Sequence, residues 1–313
     1  MSRFSPKLML QTTLAVLARA VVLLAFSELI FVNEGPVLAL VRAENPSAGL
    51  LHLAELIAFY MLPAGLLFAL ENRITGWATG LLVGAFVGWS IEGAVVPAVY
   101  EAPPISFFWT SIAWHAPVDV WFGMILLPLL ISQKVTARGV ILVGLAGLAW
   151  GVWSGWTWPE LRLSLNEFFI LAACSLLLLA IGYWLIALTQ RGLSCGTTLR
   201  RVLIALNLLA ALIWAALSPV FAAFLALLVA ANWVNLARAP DGPPLSTRLA
   251  PKAVPSLVYL IVFGGTGTLG YSAILALGLP ISGPDIAAVA ALAGTVFWAA
   301  ASIAVFTKKR RAE

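Results

Sequence analysis

Four acidic residues, Glu28, Glu55, Glu92 and Asp119, fall inside four successive hydrophobic stretches, together with His52 and His115, the only histidines of the chain. An ionisable side chain in hydrocarbon costs from about 2.5 to above 10 kcal/mol, so such groups usually face a bundle interior or a water-filled cavity. His115 and Asp119 are four apart and His52 and Glu55 three apart, so each pair shares one face of a helix. Pro117 sits inside the first pair, where it removes one backbone hydrogen bond and can widen the turn. Imidazoles beside carboxylates can activate water by general base and acid chemistry, which makes Glu28, His52, Glu92, His115 and Asp119 candidate catalytic residues. His52, Glu55, His115 and Asp119 are also a donor set for a divalent metal such as zinc, manganese or iron. A proton pathway uses the same groups, and a neutral hydrogen-bonded network is the purely structural alternative. The residue pattern leaves these chemistries open and names no cofactor beyond a divalent metal.

The elements that position these groups follow from composition. Of 313 residues, 62% are hydrophobic and 10% charged, a balance foreign to a soluble globular surface. A bilayer core about 30 Å thick takes about 20 apolar residues per helix. Ten such stretches lie near 10–32, 50–70, 77–99, 105–131, 140–158, 167–188, 201–217, 219–236, 255–277 and 286–306. They are continuously apolar rather than alternating, so the fold class is all-α, a polytopic transmembrane helical bundle and not a barrel. At Ser218 and Pro219 a tight hairpin and one long kinked helix are both compatible with the sequence. Polarity divides the chain into a four-helix module, 1–131, apolar scaffold helices, 132–236, a cytoplasmic linker, 237–253, and a final helix pair with a basic tail, 254–313.

Fifteen of the eighteen lysines and arginines, from Arg3 and Lys7 to the Lys308–Arg311 run, fall on one side of a ten-span chain. Arg42 and Arg162 fall on the other, and Arg19 lies within the first stretch. Positive-inside sorting then places both termini in the cytoplasm of an inner membrane. The first stretch, which holds Arg19 and Glu28 and lacks a small-residue cleavage site, reads as retained. A net charge of +5 is a topology signal, and nothing in the chain suggests nucleic acid as a partner. Cys174 and Cys195 are poorly placed to pair, and the chain has no phosphate-binding loop or dinucleotide fingerprint.

In this orientation all four stretches point their polarity into the outer leaflet, around a cavity entered from outside. Glu28 lies near the outer end of the first stretch and His52 and Glu55 near the outer start of the second. Glu92 lies about seven residues, or about 10 Å, below the end of the third. His115 and Asp119 lie deeper in the fourth. Glu34 and Glu101 on adjoining outer loops add negative potential, an entrance that suits a cation or protonated amine. The expected partners are the bilayer and a small molecule, lipid or membrane peptide entering from outside. Nine of thirteen tryptophans lie between Trp77 and Trp158, most as interfacial anchors, while Trp114 and Trp121 flank His115 and can wall a pocket or pack the core.

The segment Phe108–Gly123, FWTSIAWHAPVDVWFG, resembles the last motif of the CPBP intramembrane proteases, the CAAX-processing and bacteriocin-processing group. The resemblance implies a membrane-embedded hydrolase in which His115 and Asp119 line the site, His52 stands for the middle histidine and Glu28 for a water-activating glutamate. Ser27, Val32 and Ala48 depart from that pattern. The rival reading is a proton-coupled small-solute transporter, since ten spans with both termini inside resemble the drug/metabolite transporter architecture. Matched interruptions in the second half, which inverted repeats require, are not evident. That half contains Asn207, Asn232 and Asn235 but no comparable buried carboxylate, and the run Gly264–Thr268 suits close helix packing. A noncatalytic membrane subunit is the third reading.

Overall fold

Each of the ten apolar stretches forms a helix in the computed structural model. It describes residues 6–155, 162–189, 195–239, 243, 257–278 and 284–310, with the backbone alone at 34, 284, 285 and 308–310. The spans run Pro6–Ile30, Pro46–Arg73, Trp77–Val95, Ile105–Ser132, Ala137–Ser154, Leu165–Thr189, Thr197–Ala215, Pro219–Ala237, Leu257–Leu277 and Ile286–Thr307. All ten are long and apolar enough to cross a bilayer, and no strand occurs among the described residues. The protein is an all-α polytopic bundle. Most of the linker expected over 237–253, together with Trp156, Trp158 and Arg311, lies outside the described residues.

Local chemistry sets the ends. The second span starts at Pro46, earlier than its hydrophobicity suggests, because the Asn45 carboxamide accepts from the Ala48 amide at 2.9 Å and proline suits a first helical position. The sixth opens on a capping box. Ser164 N donates to Glu167 Oε2 at 2.7 Å, and Glu167 N donates to Ser164 Oγ at 3.2 Å. Ser218 and Pro219 resolve as a hairpin, with one helix closing at Ala215 and the next starting at Pro219. The third span stops at Val95 rather than near 99. Val96 precedes Pro97 and is extended, φ −120° and ψ 150°, as a residue before proline prefers.

Compactness divides the chain along different lines from polarity, into two units each assembled from separated segments. The first comprises Met1–Phe59, Leu126–Gly192 and Ala250–Asp285, and the second Tyr60–Ile125, Leu193–Leu249 and Ile286–Glu313. The module expected over 1–131 therefore draws on both.

In the first unit the fifth and ninth spans approach at backbone distance. A Cβ on Gly147 would lie 2.2 Å from the Phe263 carbonyl oxygen, and one on Gly151 2.0 Å from that of Gly267. The small-residue run around Gly264 serves packing, as the sequence suggests. Beside it Trp150 stacks on Phe263 with centroids 5.1 Å apart, and Phe168 stacks on Tyr271 at 4.1 Å. Gly151→Ala is expected to destabilise the first unit by about 1–3 kcal/mol, since its methyl meets backbone that cannot rotate away. Unfolding in mixed micelles would check this, and Gly144→Ala, where the nearest atom is 3.6 Å from the added Cβ, is the tolerated comparison.

In the second unit the third span carries Gly80, Gly84 and Gly88 at steps of four. A Cβ on Gly84 would sit 2.6 Å from Ala116 Cα, and one on Gly88 only 1.8 Å from the Ser111 carbonyl oxygen. Small residues thus let the third and fourth spans touch along their backbones. Asn232 of the eighth span donates to the Leu82 carbonyl at 2.8 Å and accepts from Trp298 Nε1 of the tenth at 2.9 Å. Asn235 donates to Ser302 Oγ at 2.8 Å. These amides tie helices together where lipid offers no hydrogen bonds.

Candidate functional site

The step of four that places Gly80, Gly84 and Gly88 against the fourth span continues to Glu92. Glu92 therefore emerges on the packed face, on a π-helical turn, Ile91–Val95, closed by an i→i+5 bond from Val96 N to Ile91 O of 2.9 Å. The fourth span is π-helical over Trp109–Leu126, with Pro117 inside it, so the widened turn expected at one proline extends through the segment carrying His115 and Asp119. Such turns are rare and frequent at functional sites. Glu28 lies on a third, Ala25–Ile30.

Three side chains meet in the second unit. His115 Nδ1 lies 2.6 Å from Asp119 Oδ2, and His115 Nε2 lies 2.9 Å from Glu92 Oε1. The imidazole is held between two carboxylates. Side-chain exposure falls from 11% at Glu92 to 4% at His115 and 0% at Asp119, so the triad has an outer and an inner end. Two proton arrangements fit these distances: an imidazolium donating to two carboxylates, or a neutral ring accepting from one carboxylic acid and donating to the other carboxylate. Both hold the same protons and carry one surplus negative charge. A further proton makes the group neutral.

In the first unit Glu28 is buried and Glu28 Oε2 accepts from Asn33 Nδ2 at 2.7 Å. Asn33 follows Val32, whose φ of 64° is an outlier for a β-branched residue. Arg19 is buried and donates to the Ala15 carbonyl oxygen at 2.7 Å. His52 and Glu55 share a face as expected, with His52 Nδ1 3.9 Å from Glu55 Oε2, yet Glu55 is 60% exposed. Arg42 and Glu167 form an exposed pair at 2.6 Å, and that hydrogen bond raises the Arg42 guanidinium above its ordinary value. Among the described residues no three His, Cys, Asp or Glu side chains form a group that could hold a metal ion. A metal on His115 would have to displace a carboxylate from a ring nitrogen.

Comparison with protein-family models, curated proteins and solved structures finds no match to the chain. The site is read from its own geometry.

Residue type and spacing pointed to Glu92, His115 and Asp119, but several partners carried no such mark. Asn33, a partner of Glu28, and Ser90, a partner of Asn207, stand in no motif or spacing that singles them out in the sequence. Trp153, expected as an interfacial anchor, donates Nε1 to the Phe31 carbonyl at 2.9 Å. The one usable signal was the spacing Gly80, Gly84, Gly88, Glu92, which places the acid on the small-residue face.

Proposed function

We propose that the chain is a proton-coupled membrane transporter whose proton site is Glu92, His115 and Asp119. The observation that carries this reading is one buried imidazole held between two carboxylates, with contacts of 2.6 and 2.9 Å. In a low-dielectric bundle, charge on such a group is costly, so adding or removing one proton changes the stability of its surroundings by several kcal/mol. That is the property a proton-driven conformational cycle needs. Glu92, the more exposed end, exchanges the proton, His115 passes it, and Asp119 orients the ring. The distribution of lysine and arginine supports an inner-membrane chain with both termini in the cytoplasm, so Glu92 receives protons from outside. The co-transported solute is small and enters from that face.

Infrared titration of the purified chain in lipid nanodiscs, from about pH 4 to pH 11, tests the proton site. Wild type is expected to show a carboxyl or imidazole band change that Glu92→Gln removes. In vesicles loaded with a pH-sensitive dye, an external acid pulse is expected to acidify the lumen faster with wild type than with Glu92→Gln. Spectra that do not change with pH, or that Glu92→Gln leaves intact, overturn the reading.

Hydrolysis is the second reading, supported by the 2.6 Å contact between His115 and Asp119, the two residues that the CPBP resemblance pairs. It assigns the water-activating base to Glu28 and not to Glu92. Cleavage of a fluorogenic membrane peptide that Glu28→Gln abolishes and Glu92→Gln preserves would replace transport with hydrolysis.

A further inference from the structure

The seventh span, Thr197–Ala215, buries one residue, Asn207. In a helix so largely exposed, the side chain turned inward is an amide, and one of its bonds reaches the third span beside the proposed proton site. Asn207 Oδ1 accepts from Ser90 Oγ, while Asn207 Nδ2 donates to the carbonyl oxygens of Leu62 at 3.1 Å and Leu203 at 2.9 Å. Ser90 lies two residues before Glu92. Trp214, seven residues after Asn207 and so on the same face, donates Nε1 to the Ala94 carbonyl oxygen at 3.3 Å. Ala94 lies two residues after Glu92. One helix thus grips the π-helical turn on both sides of the acid.

We propose that Asn207 and Trp214 are positioning residues that fix the Glu92 carboxylate against His115 Nε2. The inference rests on the proton-site reading. Carbonyls in the last turn of a helix lack partners within it, and in hydrocarbon they need another donor. Trp214 supplies one to Ala94. Asn207 holds the residue at the entry of the turn. When either tie is lost the wide turn can relax toward ordinary α-helix, which turns residue 92 about the helix axis and away from the 2.9 Å contact. The amide of Asn232 is a built-in comparison, because it ties the same third span at Leu82, ten residues from Glu92.

The test uses the full chain in nanodiscs and reads the midpoint of the infrared pH titration beside thermal stability. Asn207→Leu and Ser90→Ala are expected to move the midpoint by about one pH unit or more, a tenfold change in proton affinity. Ser90→Thr, which keeps the hydroxyl, is expected to restore it. Asn232→Leu is expected to lower thermal stability and leave the midpoint in place. Ser90→Ala removes one oxygen from a folded helix and carries the test should Asn207→Leu fail to fold. A wild-type midpoint in Ser90→Ala, or an equal shift in Asn232→Leu, overturns the positioning role while the proton site stands. A wild-type titration that His115→Ala leaves unchanged overturns the proton site itself, and the positioning role with it.

Discussion

His115→Ala is expected to destabilise the protein by about 3–5 kcal/mol and to abolish its infrared pH titration. Removing one member of a buried ion set leaves the others uncompensated, which costs several times the loss of an exposed pair. Here the deletion removes from Glu92 and from Asp119 the contact each makes with this ring. Unfolding with increasing SDS in mixed micelles would measure the loss. A second variant separates stability from function. Replacing all three residues together, Glu92→Leu, His115→Phe and Asp119→Leu, is expected to recover most of that loss, because a buried ion set exchanged for apolar side chains of similar volume is often neutral or stabilising. The triple variant should be stable and silent to pH. A cost below about 1 kcal/mol for His115→Ala would show that the triad is not the coupled buried group described here.

The contrast shows why the architecture was legible in the sequence while only half of the site was. Ten spans follow from the long apolar runs, since a bilayer punishes any polar residue that lacks a role, and the exceptions at positions 92, 115 and 119 stand out for the same reason. The pairing of His115 with Asp119 follows from a spacing of four. Its pairing with Glu92 does not, because that contact depends on how closely two helices approach, which glycines decide. Helix ends were less legible. The third span closes at Val95 because Pro97 imposes extended backbone on Val96, so Glu92 lies only three residues from the helix end. The π-helical turns were invisible apart from Pro117, since an i→i+5 pattern has no residue signature of its own. Asn207 was visible as a polar residue in an apolar helix, but its side of the helix became clear only once its partners, Ser90, Leu62 and Leu203, were placed.

Gly88→Leu is expected to separate the third and fourth spans and to remove the proposed proton site without touching any of its three side chains. The nearest atoms to an added Cβ are the Ser111 carbonyl oxygen at 1.8 Å, its carbon at 2.7 Å and Cα at 2.9 Å, all backbone. No rotamer change can clear them, so one helix has to move. Overpacking of this kind costs about 1–3 kcal/mol and more where backbone is the obstacle, so about 3 kcal/mol or more is expected. The effect should grade along the helix. At Gly80 the nearest atom is Ile125 Cδ1 at 3.1 Å, the end of a flexible side chain, so Gly80→Ala should be mild. At Gly84 the obstacle is Ala116 Cα at 2.6 Å, so Gly84→Ala should be worse, and Gly88→Ala worse again. Unfolding and the infrared titration should fail in the same order, because Glu92 is the next residue at that spacing and reaches His115 only while the glycines keep the helices in contact. If Gly88→Leu retained the wild-type titration midpoint, the backbone contact would not be what brings Glu92 to the ring.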